Sequence, residues 1–163
     1  MKQYTNELTP SVLTSFMNPF SAEQLANADD QQRQIFKSHV EEMKDCSLLA
    51  IWRFATTGAL TQNGGKIENA SANDSFTLED GGEVNRAMVG DYVAYPDGTR
   101  AKIINGSGSV NTNGNGVSYA LVGSQLDNGD MIISTPQDYA LLCQLDNSPV
   151  MPADFSLQRH SKK

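Results

Sequence analysis

A short phrase returns along this chain at a nearly constant interval. "RAMVGD" at 86–91 and "YALVGS" at 119–124 both contain Ala-x-Val-Gly, and one interval upstream lies "FATTG" at 54–58. Ala55, Ala87 and Ala120 are 32 and 33 residues apart, and Gly58, Gly90 and Gly123 keep step with them. A repeat constrains a fold more than any local propensity does, because each copy must bury its apolar face against its neighbours.

The stretch after each phrase is repeated too. "QNGGKI" (62–67), "YPDGTRAKII" (95–104) and "LDNGDMII" (126–133) each place an Asx-Gly turn before a short aliphatic strand. Gly58 to Ile67 and Gly123 to Ile132 both span 9 residues, whereas Gly90 to Ile103 spans 13, so the middle hairpin is longer. A lone two-stranded hairpin is marginal in water. Three related hairpins can bury alternate faces together around a pseudo-threefold axis. Ala55, Ala87 and Ala120 then suit the crowded axis, and Gly58, Gly90 and Gly123 suit close approach or positive φ. Ile67, Val89, Ile103, Val122 and Ile132 are expected to fill the interior.

The ends have a different texture. Thr9-Pro10 reads as N-cap and first residue of a short helix over "PSVLTSF". "FSAEQL" carries a capping box (Ser21, Gln24) and a hydrophobic staple (Phe20, Leu25), which predicts a helix from 22 to about 44. Leu25, Ala28, Ile35, Phe36, Val40 and Met43 form its interrupted apolar stripe. These observations divide the chain into a helical extension (1–47), a β repeat region (48–137) and a tail (138–163) with a basic, frayed end. Trp52 and Phe54, alternating on the first strand, read as core.

Composition narrows the function classes. A chain of 163 residues buries roughly 70% of its unfolded surface, so its core needs no metal or disulfide staple. Net charge −7 argues against nucleic acid or an anionic membrane as a general partner. No apolar run approaches a membrane span, and "MKQYTNELTP" lacks the apolar core of a signal peptide. Cys46 and Cys143 read as two isolated thiols.

The segment from about 54 to 137 resembles the PAAR-repeat domain of type VI secretion spikes. The resemblance is carried by "ALVGSQLDNGDMIISTPQ", "MVGDYVAYPDGTRAKIINGSG" and "TGALTQNGGKIENAS", and it covers about half of the chain. It implies a mainly β fold, a cone of three pseudo-repeated β-hairpins, here preceded by an amphipathic helical segment. It also implies a job: to sit by the broad base on the trimeric VgrG β-helix, sharpen its tip, and carry or recruit an effector, here through the 20–46 helix. The route implied is cytoplasmic synthesis, then export by the apparatus without a signal peptide. The chain departs from the family in one respect. Minimal PAAR domains bind zinc near the apex through His and Cys, but this chain has neither between residues 47 and 142. His39, Cys46, Cys143 and His160 all lie outside the repeats, so no zinc or other cofactor is expected, and packing with turn hydrogen bonds should fix the tip.

No catalytic constellation stands out. The aspartates of "LDNGD" and "YPDG" fit Asx-Gly turns, Asp127 and Asp130 lack the spacing of an EF-hand loop, and "GSGSVNTNGNG" lacks the Lys of a P-loop. The expectation is a structural spike-tip protein rather than an enzyme. The alternative is a phage or phage-like tail-tip component, or a self-associating adaptor, which would share the fold and differ in partner.

Overall fold

The computed structural model describes residues 2–17, 22–43, 47–138, 140–146 and 155. The chain is mainly β, in small antiparallel sheets, and divides into two compact units. One comprises Met1–Asn6, Ile51–Leu142 and Val150–Lys163, and the other Glu7–Ala50 and Cys143–Pro149. This partition differs from boundaries at 47 and 137. Residues 2–6 and Phe155 belong with the repeats, because they are tied there by pairing and burial that no local pattern announces.

The second unit carries the helices, together with the strand residues 48–50 and 143–145. α1 (Pro10–Met17) starts where Thr9 Oγ1 accepts from the Val12 amide at 3.2 Å, an N-cap bond. The helix expected from 22 to about 44 is instead two helices, α2 (Ala22–Ala26) and α3 (Asp30–Met43). The break has a cause. Asp29 Oδ1 accepts from the Gln32 amide at 2.8 Å while Gln32 Oε1 accepts from the Asp29 amide at 3.1 Å, a reciprocal capping box that starts a new helix. Phe20 and Ser21, which would cap and staple the first, lie outside the described residues, as do Cys46 and His160. Of the expected stripe, Ala28 is buried, Phe36 is half-buried, and Leu25, Ile35 and Val40 are exposed. Cys143 is an exposed free thiol. No helix among the described residues is long and apolar enough to cross a membrane.

The first unit is built from short strands. β1 (Leu48–Arg53), whose last three residues belong to it, pairs with β9 (Leu141–Leu145) and carries Trp52, which is buried edge-on against Phe155 at 4.9 Å between ring centroids. The repeat hairpins are β2 (Leu60–Thr61) with β3 (Lys66–Ile67), β6 (Tyr92–Ala94) with β7 (Arg100–Lys102), and residues 124–126 with residues 130–132, which lead into β8 (Ile132–Ser134). A separate hairpin, β4 (Ser75–Thr77) with β5 (Glu83–Asn85), sits in the first linker. The repeat hairpins join edge to edge. β3 pairs with β6, Ile103 bridges Leu126, and β8 pairs with β2, so the strands form a closed ring with no free edge along these pairs.

The ring repeats bond for bond. The Ala55 amide donates to the Ala120 carbonyl (3.0 Å), Ala87 to Ala55 (2.9 Å) and Ala120 to Ala87 (3.0 Å), a closed cycle of three. All three alanines are fully buried. One layer on, the Gly58, Gly90 and Gly123 amides donate to Ile67, Ile103 and Ile132 at 2.8, 2.9 and 2.8 Å. Ile67, Ile103, Ile132 and Val122 lie in the core with Val93, Ala101 and Leu126. Each isoleucine buried this way contributes about 1.5–3 kcal/mol. Val89, expected among them, is only half-buried, because its side of the ring opens into a cleft.

Gly58, Gly90 and Gly123 adopt φ of +93°, +101° and +103°. A Cβ on Gly90 would meet nothing within 4 Å. The backbone conformation therefore requires glycine there, and crowding at the axis is met by the alanines.

Candidate functional site: the two ends of the repeat ring

One residue before each ring alanine stand Phe54, Arg86 and Tyr119, three positions made equivalent by the repeat. They converge. The Arg86 guanidinium lies 3.7 Å from the Tyr119 ring centroid and 4.7 Å from that of Phe54, and the two rings meet edge to face at 5.9 Å. Arg86 also forms an ion pair with Asp74 in the linker that leads to β4. A cation held on aromatic faces and largely desolvated contributes up to about 2 kcal/mol. The arrangement closes one end of the axis with a charge whose neutralising partner comes from a linker.

The strand edges at this end are covered, each by a different segment. Phe54 donates to the Ala140 carbonyl at 3.1 Å, Arg86 donates to Asp74 at 3.2 Å, and the Tyr119 carbonyl accepts from Ser107 at 3.0 Å. Gln137, also buried, donates from Nε2 to the Phe54 and Ala140 carbonyls, both at 2.9 Å. Arg53 is buried beside this end and donates to the Thr5 carbonyl. Burial lowers its pKa, with Asp138 and then Tyr4 opposing.

At the opposite end lie the Asx-Gly turns. Asp130 is 1% exposed and organises them. Its carboxylate accepts from Tyr95 Oη at 2.6 Å, from the Asn63 amide at 3.1 Å and from its neighbour Met131 at 2.8 Å. Asn128 Nδ2 donates to Tyr95 Oη at 3.0 Å. Three hairpins are thus joined at one carboxylate, and the extra length of the middle one is what carries Tyr95 across. Burial pushes the Asp130 carboxyl up, but hydrogen bonds from Thr61, Tyr95, Met131 and Asn63 outweigh it and hold the group below its usual range. Burial, then Asp130, pushes Tyr95 up. Gly65 is needed beneath this cluster, since a Cβ there would stand 2.4 Å from Val93 Cγ1.

Asp130 spends its oxygens on the turns, Asp127 accepts from the Lys102 amide, and no group of three His, Cys, Asp or Glu among the described residues could hold an ion. His39 is half-buried on α3, in the other unit.

The structure therefore brings together Ala55, Ala87 and Ala120, aligns Gly58, Gly90 and Gly123 one layer away, and groups Ile67, Ile103, Ile132 and Val122 inside. Sequence reasoning missed Arg86, Tyr119, Tyr95 and Gln137. For Arg86 and Tyr119 a signal existed: both immediately precede a ring alanine, as Phe54 does. Compared with family models, with curated proteins and with solved structures, the chain matches none.

Proposed function

We propose that this chain is a structural spike-tip protein, a conical PAAR-like cap on the trimeric VgrG β-helix of a type VI secretion system. The observation that carries the reading is the closed cycle of three Ala amide–carbonyl bonds, in which one chain repeats the same geometry three times around an axis. A homotrimer ends in three identical strand edges, and a monomer can meet all three alike only if it is itself near-threefold. Covering such an end also removes exposed edges that would otherwise pair at random.

Two further features support it. The turn end is knit by the Asp130–Tyr95 hydrogen bond, as a tip that must resist deformation requires. The helical segment exposes Leu25, Ile35 and Val40, which suits recruitment of an effector or adaptor. In this reading the chain is not an enzyme, needs no zinc, and leaves the cell with the spike.

The test is to mix the purified chain with a VgrG C-terminal β-helix trimer and measure mass by light scattering after gel filtration. One chain per trimer is the expected result. Three chains per trimer, or no complex at micromolar concentrations, would remove the spike assignment.

A further inference from the structure

Five asparagines in this chain are followed by glycine: Asn63, Asn105, Asn113, Asn115 and Asn128. An asparagine before glycine carries a latent reaction. The next backbone nitrogen can attack the side-chain carbonyl carbon, and no Cβ stands in its way. Two conditions govern that attack. The N–H must be free to lose its proton, and the charge developing on Oδ1 must be stabilised. The five steps differ in both respects.

At three of them the attacking amide is committed. Gly64 donates to the Thr61 carbonyl at 3.2 Å, Gly116 to Asn113 at 3.0 Å and Gly129 to Leu126 at 3.0 Å. At the fourth, Gly106 is packed in place, since a Cβ there would overlap the Tyr119 carbonyl oxygen. Asn105 is also held at both ends of its carboxamide. Its Nδ2 donates to Gln125 Oε1 at 2.9 Å, and its Oδ1 accepts from the Gln125 amide at 2.8 Å. Asn113-Gly114 is the exception. The Gly114 amide donates to nothing among the described residues, and a Cβ on this exposed glycine would meet nothing within 4 Å. Asn113 Oδ1 accepts from two backbone amides, Asn115 at 2.9 Å and Val117 at 3.0 Å. Its Nδ2 donates to nothing among the described residues.

Two N–H groups aimed at one carbonyl oxygen are the arrangement that stabilises an oxyanion. We propose that Asn113 is a self-modification site, at which the chain deamidates its own side chain through a cyclic imide. Hydroxide takes the Gly114 amide proton and becomes water. The nitrogen attacks Asn113 Cγ, the N–Cγ bond forms, and the C=O π pair moves onto Oδ1 under the Asn115 and Val117 amides. The pair returns and the Cγ–Nδ2 bond breaks. Nδ2 takes a proton from water, leaves as ammonia, and hydroxide is regenerated. Water then opens the five-membered imide. Addition at Cγ gives aspartate, and addition at the backbone carbonyl gives isoaspartate. The net change is asparagine plus water to aspartic acid plus ammonia. It places a carboxylate on the wall of a cleft of about 550 Å³ that also holds Asp74 and Arg86. The inference does not depend on the spike-tip assignment.

The test uses the full-length wild-type chain, incubated at mildly alkaline pH and sampled over weeks. Peptide mapping at acid pH with electron-transfer fragmentation locates each conversion and separates aspartate from isoaspartate. The same chain unfolded in guanidinium chloride is the reference, because there all five asparagines keep their glycine neighbour and lose the fold. In the folded chain Asn113 should convert at least about tenfold faster than Asn63, Asn105, Asn115 or Asn128. It should also convert faster folded than unfolded, whereas folding should slow the other four. Another of the five leading in the folded chain would overturn the proposal. So would an Asn113 slowed by folding, since the Asn115 and Val117 amides would then restrain the carboxamide instead of stabilising its oxyanion. An Asn113 that stays intact in the folded chain while the unfolded reference converts would overturn it as well.

Discussion

The two units of this chain differ in how much of their apolar surface is gathered into a common interior. In the repeat unit, Ala55, Ala87, Ala120, Ile67, Ile103 and Ile132 are all at most 1% exposed, and each belongs to a set of three in equivalent bonds. In the helical unit, Leu13, Leu25, Ile35 and Val40 are 38–59% exposed. The contrast lies in the interior, since the repeat unit too exposes Tyr92, Ile104 and Ile133, but the helices have no comparable set of fully buried, mutually bonded positions among the described residues. A closed ring of hairpins satisfies backbone and side chains at once, so its positions are interdependent. Amphipathic helices with exposed leucine and isoleucine leave their surface for something else to cover.

The sharpest way to break that contrast is at the axis. Ala87→Leu adds three carbons where a fully buried ring has no room, and about 3 kcal/mol or more should be lost in urea unfolding, to the point of insolubility. Gly90→Val should cost about 2–3 kcal/mol through its φ of +101° alone, since its Cβ meets no neighbour. Thermal denaturation of Gly90→Val beside Gly90→Ala separates β-branching from the φ penalty, and wild-type stability in both would refute the backbone argument.

A smaller effect belongs to the turn end. Asp130→Asn keeps the shape but loses an acceptor, which should cost about 1–2 kcal/mol. The sign of its pH dependence is set by the lowered pKa. Stability from Asp130 is fully present above the unfolded aspartate value of about 3.9 and is lost as pH falls through the lower folded value. The gap between wild type and Asp130→Asn in chemical denaturation should hence stay constant from neutral pH to about 5 and narrow only below about 4. A gap that closed near pH 6 would contradict the network. The smallest change is expected in the helical unit, where Ile35→Ser should alter unfolding free energy by less than about 0.5 kcal/mol, because Ile35 is 59% exposed.

Much of the ring was legible because it is written in short-range chemistry, three times over. Asx-Gly turns fix the hairpins locally, and the spacing of Ala, Gly and Ile announces equivalence without any long-range contact being known. The features that escaped depend on partners far away in sequence. Asn6 reaches Val122 across 116 residues, and Ser134 donates to Gln3 across 131. Phe155 is buried against Trp52 from a tail that reads as frayed. Val89 matches Val122 letter for letter yet is half-buried, because the segment carrying Asn6 lies over Val122 and not over Val89. The break between α2 and α3 was present in the sequence as Asp29 and Gln32, but the apolar stripe running through it pointed to one continuous helix.

That one chain closes three equivalent repeats around an axis is tested most directly by native-state hydrogen exchange at the Ala55, Ala87 and Ala120 amides. A closed cycle predicts that all three exchange only on global unfolding, with matching free energies that fall together in Gly90→Ala. One alanine amide exchanging through a local opening, well below the other two, would contradict the cycle and reduce the repeat to three hairpins that merely look alike.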